Sequence, residues 1–299
     1  NGSLRAGTSG SGNAGEVSIS TAILDVDTAT LSTDTTSIIA GAGQSGTITL
    51  RPNTGGSTLQ VNLANDAQIT ASTSGAGVGG NLDLAGSRVT ISGKGVLQAG
   101  TSGNGVAGSI ALRTPILDLS GATISTAAEA GATALAPNLD PGGRITIQPL
   151  DATLTPNLAV NLSDNAVITA STAGPRQGGS ISVTAPQSIT LAGNGSLRAE
   201  TSGSGNAGEV RLTTPNLTIQ DGVRVSTSTT ADGRGGSILA GAASSTSPDG
   251  LTFADSVSLR NSSLNAQTSG VGRGGSIDVR ARAISLTEDS LLNAEVRAG

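Results

Sequence analysis

The sequence has 299 residues, of which 35% are hydrophobic; it has one Phe and no Trp, Tyr, Met, Cys or His. This composition excludes disulfide bridges, thiolate chemistry and any catalytic triad that depends on an imidazole base. The net charge is -5 and the basic residues are scattered, so we expect no nucleic-acid partner. No apolar run reaches the roughly 18 residues of a membrane helix, so we also expect no membrane insertion.

The first element of a repeat is an apolar anchor followed two positions later by a small residue. It recurs along the whole chain with a period of about 28 residues, which indicates a repeat architecture. Such short apolar segments predict the first strand of each turn. The anchors are Leu4, Leu31, Ile69, Leu97, Ile124, Ile168, Leu197, Val225, Leu264 and Leu292.

A Thr stands four residues after most of these anchors, so threonines of successive repeats would lie on top of one another if the repeats stack. Regularly spaced Thr on a flat face is also what an ice-binding surface would use. Because the Thr alternates with an inward anchor, an inward position or a strand end is the simpler interpretation. The members of this threonine column are Thr8, Thr35, Thr73, Thr101, Thr172, Thr201, Thr229 and Thr268.

A Gly follows, two residues before the next apolar pair. A position that accepts only Gly either takes a positive φ or has no room for a Cβ atom, so it predicts a tight corner. The members of this glycine column are Gly15, Gly46, Gly80, Gly108, Gly143, Gly179, Gly208, Gly236 and Gly275.

Two apolar pairs with a period of two complete each repeat, for example Val17 with Ile19 and then Leu24 with Val26. This period predicts a second and a third strand per turn. Asn or Asp three residues before several anchors predicts a partial side-chain ladder at the last corner. These residues are Asn1, Asp66, Asn165, Asn194, Asn261 and Asp289.

Three short strands per turn, joined by corners too short for a helix, predict an all-β parallel β-helix, or β-solenoid, of about ten turns. The general rule for parallel crossovers makes it right-handed. Stacked turns bury a continuous aliphatic column, and this supplies the core that the composition seems to deny.

The turns group into super-repeats within a single β-helix segment, 1–299. The opening NGSLRAGTSGSGNAGEV returns at 194–210 with one substitution, because two blocks of three turns separate the copies. The super-repeats, of about 96 residues, cover approximately 1–93, 94–193 and 194–288. Every third turn is longer, with predicted inserts at 51–60, 148–159 and 240–256 that would form a ridge along one side.

Catalytic chemistry in a β-helix needs carboxylates close together, either as a glycosidase pair or as a calcium-binding cluster. The outward strand positions place no two acids on adjacent turns, and GGNLDL (79–84) and GGSIDV (274–279) only approach a calcium motif. We therefore predict no catalytic residues, no metal site, no cofactor and no enzymatic activity. The alternative is a polysaccharide-binding or polysaccharide-degrading β-helix with a groove beside the inserts, where Asp249, Phe253 and Asp255 would be the residues to test.

The stacked L-x-A-x-T-S-G-x-G-x-A-G-x-I-x-L turns resemble the repeat shaft of filamentous-haemagglutinin-type exoproteins of two-partner secretion. The resemblance covers essentially the whole chain. It implies a right-handed parallel β-helix, secretion across the outer membrane to the extracellular space or cell surface, and a role in adhesion, biofilm or filament formation.

Both ends of the sequence lie inside the repeat, and the N-terminus has no signal-peptide pattern. We therefore expect a segment of a longer or processed chain, in which further turns, a cap or another copy continue the rod. The expected partners are other copies of the chain, packed head to tail or laterally, and a cell-surface or polysaccharide receptor.

Overall fold

The computed structural model describes residues 2–36, 43–53, 58–103, 105–129, 142–151 and 157–297, and within them the chain contains strands and no helix. The first super-repeat contains β1 (Ser3–Arg5), β2 (Val17–Ser20), β3 (Ile23–Asp27), β4 (Thr30–Ser32), β5 (Thr47–Arg51), β6 (Gln60–Ala64), β7 (Gln68–Thr70), β8 (Asn81–Ala85) and β9 (Arg88–Ser92). The second contains β10 (Val96–Gln98), β11 (Ser109–Arg113), β12 (Ile116–Ser120), β13 (Thr123–Ser125), β14 (Arg144–Gln148), β15 (Ala159–Ser163), β16 (Val167–Thr169), β17 (Ser180–Thr184) and β18 (Ser188–Leu191). The third contains β19 (Ser196–Arg198), β20 (Glu209–Thr213), β21 (Asn216–Gln220), β22 (Arg224–Ser226), β23 (Ser237–Ala243), β24 (Leu251–Thr252), β25 (Ala254–Arg260), β26 (Ser263–Asn265), β27 (Ser276–Val279) and β28 (Ala281–Thr287), and β29 (Leu291–Asn293) begins the next coil.

Strands that occupy the same place in successive coils pair in parallel and form three long sheets. The first strands run from β1 to β29, the second from β2 to β27, and the third from β3 to β28. The one antiparallel pair in the described part of the chain joins β23 to β24. The predicted parallel β-helix with three strands per turn is therefore confirmed.

The vertical register is the one that the repeat predicts. Val17 pairs with Ile48, and Ile48 pairs with Leu82. Every anchor likewise pairs with the anchor of the next coil, from Leu4 with Leu31 to Leu264 with Leu292. The aliphatic side chains consequently form one continuous column along the axis.

This column is fully closed to solvent through the middle of the rod. Ile48, Leu50, Leu84 and Leu112 have no exposed surface. Burial of each such side chain contributes roughly 1.5–3 kcal/mol, so aliphatic contacts alone can hold the coils together without aromatic residues.

The glycine column exists because the coils approach too closely for a side chain. None of its members among the described residues has a positive φ. A Cβ atom at Gly46, Gly108 or Gly208 would overlap the carbonyl oxygen of the glycine in the preceding coil. The amide of Gly208 also donates to the carbonyl oxygen of Ala199 in its own coil, at 2.7 Å, which draws the corner shut. Of the two explanations that the sequence allowed, lack of space for Cβ is correct.

The corner after the third strand has a different requirement. Each of these corners contains a residue with a positive φ, such as Asn165 (65°), Asn194 (58°) and Asn261 (45°). Asn, Asp and Gly tolerate this left-handed conformation best. Asn1 lies outside the described residues, and in the described part of the chain the other five predicted residues make no side-chain ladder with one another. Backbone conformation therefore explains Asn165, Asn194, Asn261 and Asp289, whereas at Asp66 the neighbouring Asn65 takes the positive φ (56°). The predicted ladder is wrong.

The threonine column points into the rod. Thr35, Thr201 and Thr268 are at most 1% exposed, and successive members form single parallel bridges, except that Ala128 lies between Thr101 and Thr172 and bridges to both. Thr201 Oγ1 accepts from Gly203 N at 3.3 Å, so the hydroxyls serve the neighbouring corner. An ice-binding face built on this column is consequently excluded.

The three long coils carry a buried Thr where the other coils have Ala. Thr33 Oγ1 donates to the carbonyl oxygen of Gly46 at 3.0 Å. Thr126 Oγ1 and Thr227 Oγ1 are buried and find no partner among the described residues. The same substitution in the repeat therefore has two different consequences for hydrogen bonding.

Candidate functional site

The insert of the third super-repeat is the candidate site, because it departs most from the repeat. Residues 54–57 of the first predicted insert and 152–156 of the second lie outside the described residues, whereas 240–256 is described completely. Here β23 extends beyond the sheet and turns back as β24, with Ala242 opposite Thr252 and Ala243 opposite Leu251. The long coil of the third super-repeat thus forms a β-hairpin.

Local hydrogen bonds close the tip of this hairpin. Ser244 N donates to the carbonyl oxygen of Gly250 at 2.9 Å, and Gly250 takes the positive φ of 73° that the reversal needs. Asp249 Oδ1 accepts from Ser247 Oγ at 2.5 Å and from Leu251 N at 3.2 Å. These are the short-range Asx and Ser contacts that favour turns.

Two arginines from neighbouring coils fix the hairpin to the rod. Arg280 donates to the Asp249 carboxylate at 2.5 Å, to the Asp278 carboxylate at 2.6 Å and to the carbonyl oxygen of Leu251 at 3.3 Å. Arg211 donates to the carbonyl oxygen of Asp249 at 3.0 Å. We call Asp249, Asp278, Arg280 and Arg211 the arginine clamp.

Both carboxylates of the arginine clamp form ion pairs with Arg280, and the ion-pair partner of Arg211 is Glu209, at 3.3 Å. The hydrogen bond from Arg280, followed by those from Ser247 and the Leu251 amide, holds the pKa of Asp249 well below its ordinary value. The bonds from Asp278 and Asp249 raise the pKa of Arg280 above its ordinary value. A carboxyl group that stays ionised at neutral pH cannot donate a proton as a general acid. The arrangement is suited to holding the hairpin in place.

Phe253 and Asp255 take no part in the arginine clamp. Phe253 is 62% exposed, and the ion-pair partner of Asp255 is Arg282, at 3.8 Å. Of the three residues of the alternative hypothesis, the structure therefore joins Asp249 to Arg280 and Asp255 to a different arginine.

The outward acids on the sheets are also held by neighbouring coils. Asp83 accepts from Arg51 and Arg113 at 2.6 Å each. Asp118 accepts from Arg88 at 2.5 Å and from Asn161 at 2.9 Å. The calcium-like segments place Asp83 and Asp278 beside arginines, and the described residues contain no group of three or more acids that could hold a metal ion.

Several shallow grooves lie along the described part of the rod. One, of about 570 Å³, follows the glycine column past Asn81 and Arg144, and another, of about 360 Å³, passes Glu129 and Glu200. Neither groove includes Asp249, Phe253 or Asp255. The hairpin residues thus form no cleft with either groove.

Sequence reasoning missed the arginine clamp because the insert 240–256 shares no sequence pattern with the predicted inserts 51–60 and 148–159. The alignment of strands does place Arg211, Leu239 and Asp278 in one outward column, which the structure confirms. That column could have indicated that Arg211 and Asp278 lie near each other. The contact between Asp249 and Arg280, however, depends on the hairpin.

Comparison with known proteins adds no relative: no family model, no curated protein and no solved structure matches this chain. In the described residues there is no helix long and apolar enough to cross a membrane.

Proposed function

We propose that this chain is a rigid, non-enzymatic shaft of a secreted surface protein of the filamentous-haemagglutinin type. In this role it crosses the outer membrane and holds adhesive or filament-forming parts away from the cell. The observation that carries the proposal is the unbroken register of anchors from Leu4 to Leu292. With strands about 4.8 Å apart, nine spacings make a rod of about 43 Å.

The surface chemistry supports a structural role over a catalytic one. Asp83, Asp118 and Asp249 each accept hydrogen bonds from arginines of neighbouring coils. Such contacts link coil to coil and engage the carboxylates that a hydrolase would need free.

The location can be tested in the organism that produces the protein. Antibody labelling and protease digestion of intact cells should detect the chain at the surface. Detection only after lysis would contradict the proposal.

The role as a spacer can be tested by removing residues 94–193, which deletes one super-repeat and joins Gly93 to Asn194 in phase. The shortened chain should keep its β-sheet circular dichroism, and X-ray scattering should show a rod shorter by about 14 Å, three strand spacings. Cells carrying the shortened chain should adhere or form biofilm less well. Unchanged adhesion, together with release of sugars from polysaccharides by the purified chain, would favour the enzymatic alternative.

A further inference from the structure

The starting point is the only aromatic residue of the chain. Phe253 is 62% exposed and follows the exposed Thr252, while Leu251 and Ala254, which flank this pair, are at most 2% exposed. The buried neighbours fix the backbone, so the ring is presented outward from a defined position. Aromatic residues, Phe among them, are enriched in protein interfaces relative to the rest of the surface.

The surrounding contacts make this presentation rigid. The arginine clamp ties the hairpin to β20 and to the segment that follows β27, through Arg211 and Arg280. A surface that is already ordered loses little conformational entropy when it binds.

A β-bulge just after Phe253 in the chain exposes an acid next to a base of the following coil. The amides of Asp255 and Ser256 both donate to the carbonyl oxygen of Pro215, at 2.8 and 3.1 Å, which is the geometry of one extra residue in a strand. The bulge turns the Asp255 side chain outward, where it is 63% exposed and lies 3.8 Å from Arg282, which is 77% exposed. Phe253 and Asp255 are both exposed and Ala254 between them is buried, so we infer that the ring and the carboxylate lie on the same side.

We call Phe253, Asp255 and Arg282 the Phe253 patch. Its acid and its base lie on adjacent coils, since β25 pairs with β28. If two rods lie side by side in antiparallel directions, a two-fold axis brings the Asp255 of each copy opposite the Arg282 of the other. In the parallel arrangement like charges would face each other, which costs binding free energy.

The sheet beside the patch allows a second rod to approach. Thr218, Ser258 and Ser285 form its outward column in consecutive coils. These side chains are small, so two such faces can come close together without large rearrangements.

We propose that the Phe253 patch is a self-association site that pairs two copies of this chain as antiparallel rods. The two rings meet near the two-fold axis, where aromatic pairs prefer offset or edge-to-face contact. Two reciprocal pairs between Asp255 and Arg282 flank them. This inference deepens the proposed function, on which it rests for its biological purpose, by naming a partner for the shaft.

Analytical ultracentrifugation of the purified chain over a range of concentrations tests the proposal. We expect a monomer–dimer equilibrium that shifts toward monomer as salt is added. Phe253→Ser should weaken association by about tenfold or more. Val271→Ser is the matched control, because Val271 is 89% exposed and lies outside the patch; this variant should associate like the original chain.

Charge reversal tests the pairing itself. Asp255→Arg and Arg282→Glu should each abolish dimerisation, and the double variant should restore it. Circular dichroism should show the same β-sheet content for all variants. A chain that stays monomeric at every concentration, a double variant that fails to recover, or an equal loss with Val271→Ser would overturn the inference. None of these results would change where the chain is found on the cell, so the proposed function is tested separately.

Discussion

The glycine column gives the most direct test of how the coils stack. We expect Gly208→Ala to destabilise the rod, because the new methyl group would overlap the carbonyl oxygen of Gly179. It would also lie 2.8 Å from the carbonyl carbon and oxygen of Gly178. All three atoms belong to the backbone, so no side chain can rotate away to make room.

The size of the effect follows from what must move. Ordinary van der Waals contact of a Cβ atom begins at about 3.4 Å, so the two coils must separate locally. Separation strains the bond from Glu209 N to the carbonyl oxygen of Gly179, which is already 3.2 Å long. Overpacking costs about 1–3 kcal/mol and a weakened hydrogen bond about 1 kcal/mol, so we expect a loss of about 2–4 kcal/mol in the free energy of unfolding.

Urea unfolding followed by circular dichroism measures this change as a shift in midpoint at a similar slope. Gly15→Ala is the matched control, because a Cβ atom there would meet only Ala6, at 3.4 Å or more. Its effect should stay within about 0.5 kcal/mol. If Gly208→Ala were as stable as the original chain, or if both variants lost the same stability, close approach of the coils would not be the reason for the glycines.

Three further predictions concern the buried threonines and the hairpin. Thr33→Val removes the hydrogen bond to Gly46 and should lower the free energy of unfolding in urea by about 1 kcal/mol. Thr126→Val and Thr227→Val remove hydroxyls that have no partner among the described residues, so these variants should be neutral or stabilising. Equal losses in all three variants would contradict this reasoning. Arg280→Gln should expose the hairpin to faster thermolysin cleavage between 244 and 253. Arg88→Gln is the control, because Arg88 pairs with Asp118 outside both the hairpin and the Phe253 patch, and this variant should leave the cleavage rate unchanged. Because Arg280 lowers the pKa of Asp249, the contribution of the ionised carboxylate is complete above the ordinary value of about 4 and is lost only as the pH falls through the lowered pKa. A carboxyl NMR titration should therefore give Asp249 a midpoint below that of an unstructured peptide of residues 244–253, and a midpoint at the peptide value would refute the bond from Arg280.

The repeat was enough to predict the register of the sheets. A shift by one residue would turn every apolar side chain outward, so a period of two leaves one acceptable pairing for residues such as Val17 and Ile48. The glycine column was equally visible, but its cause was not. The sequence allowed a positive φ or a lack of space, and only the distance between coils at Gly208 decides between them.

The remainder could not be predicted because it depends on local geometry. Asn194 and Asn261 have the same residue type in the same place, which suggested side-chain stacking, yet the shared requirement is a left-handed backbone. The sequence of the insert around Asp249 is not repeated in 51–60 or 148–159, so no alignment of repeats could show that it returns to Arg280.

The parallel ladders have a mechanical consequence. The hydrogen bonds between coils run along the rod axis, so tension applied to the two ends passes through all the interfaces in series, and each interface bears the full force instead of a share of it. Each coil would peel from its neighbour in succession and release a length of extended chain while the remaining coils stay folded. Such a rod resists bending and sideways pressure, but it lengthens stepwise under a steady pull.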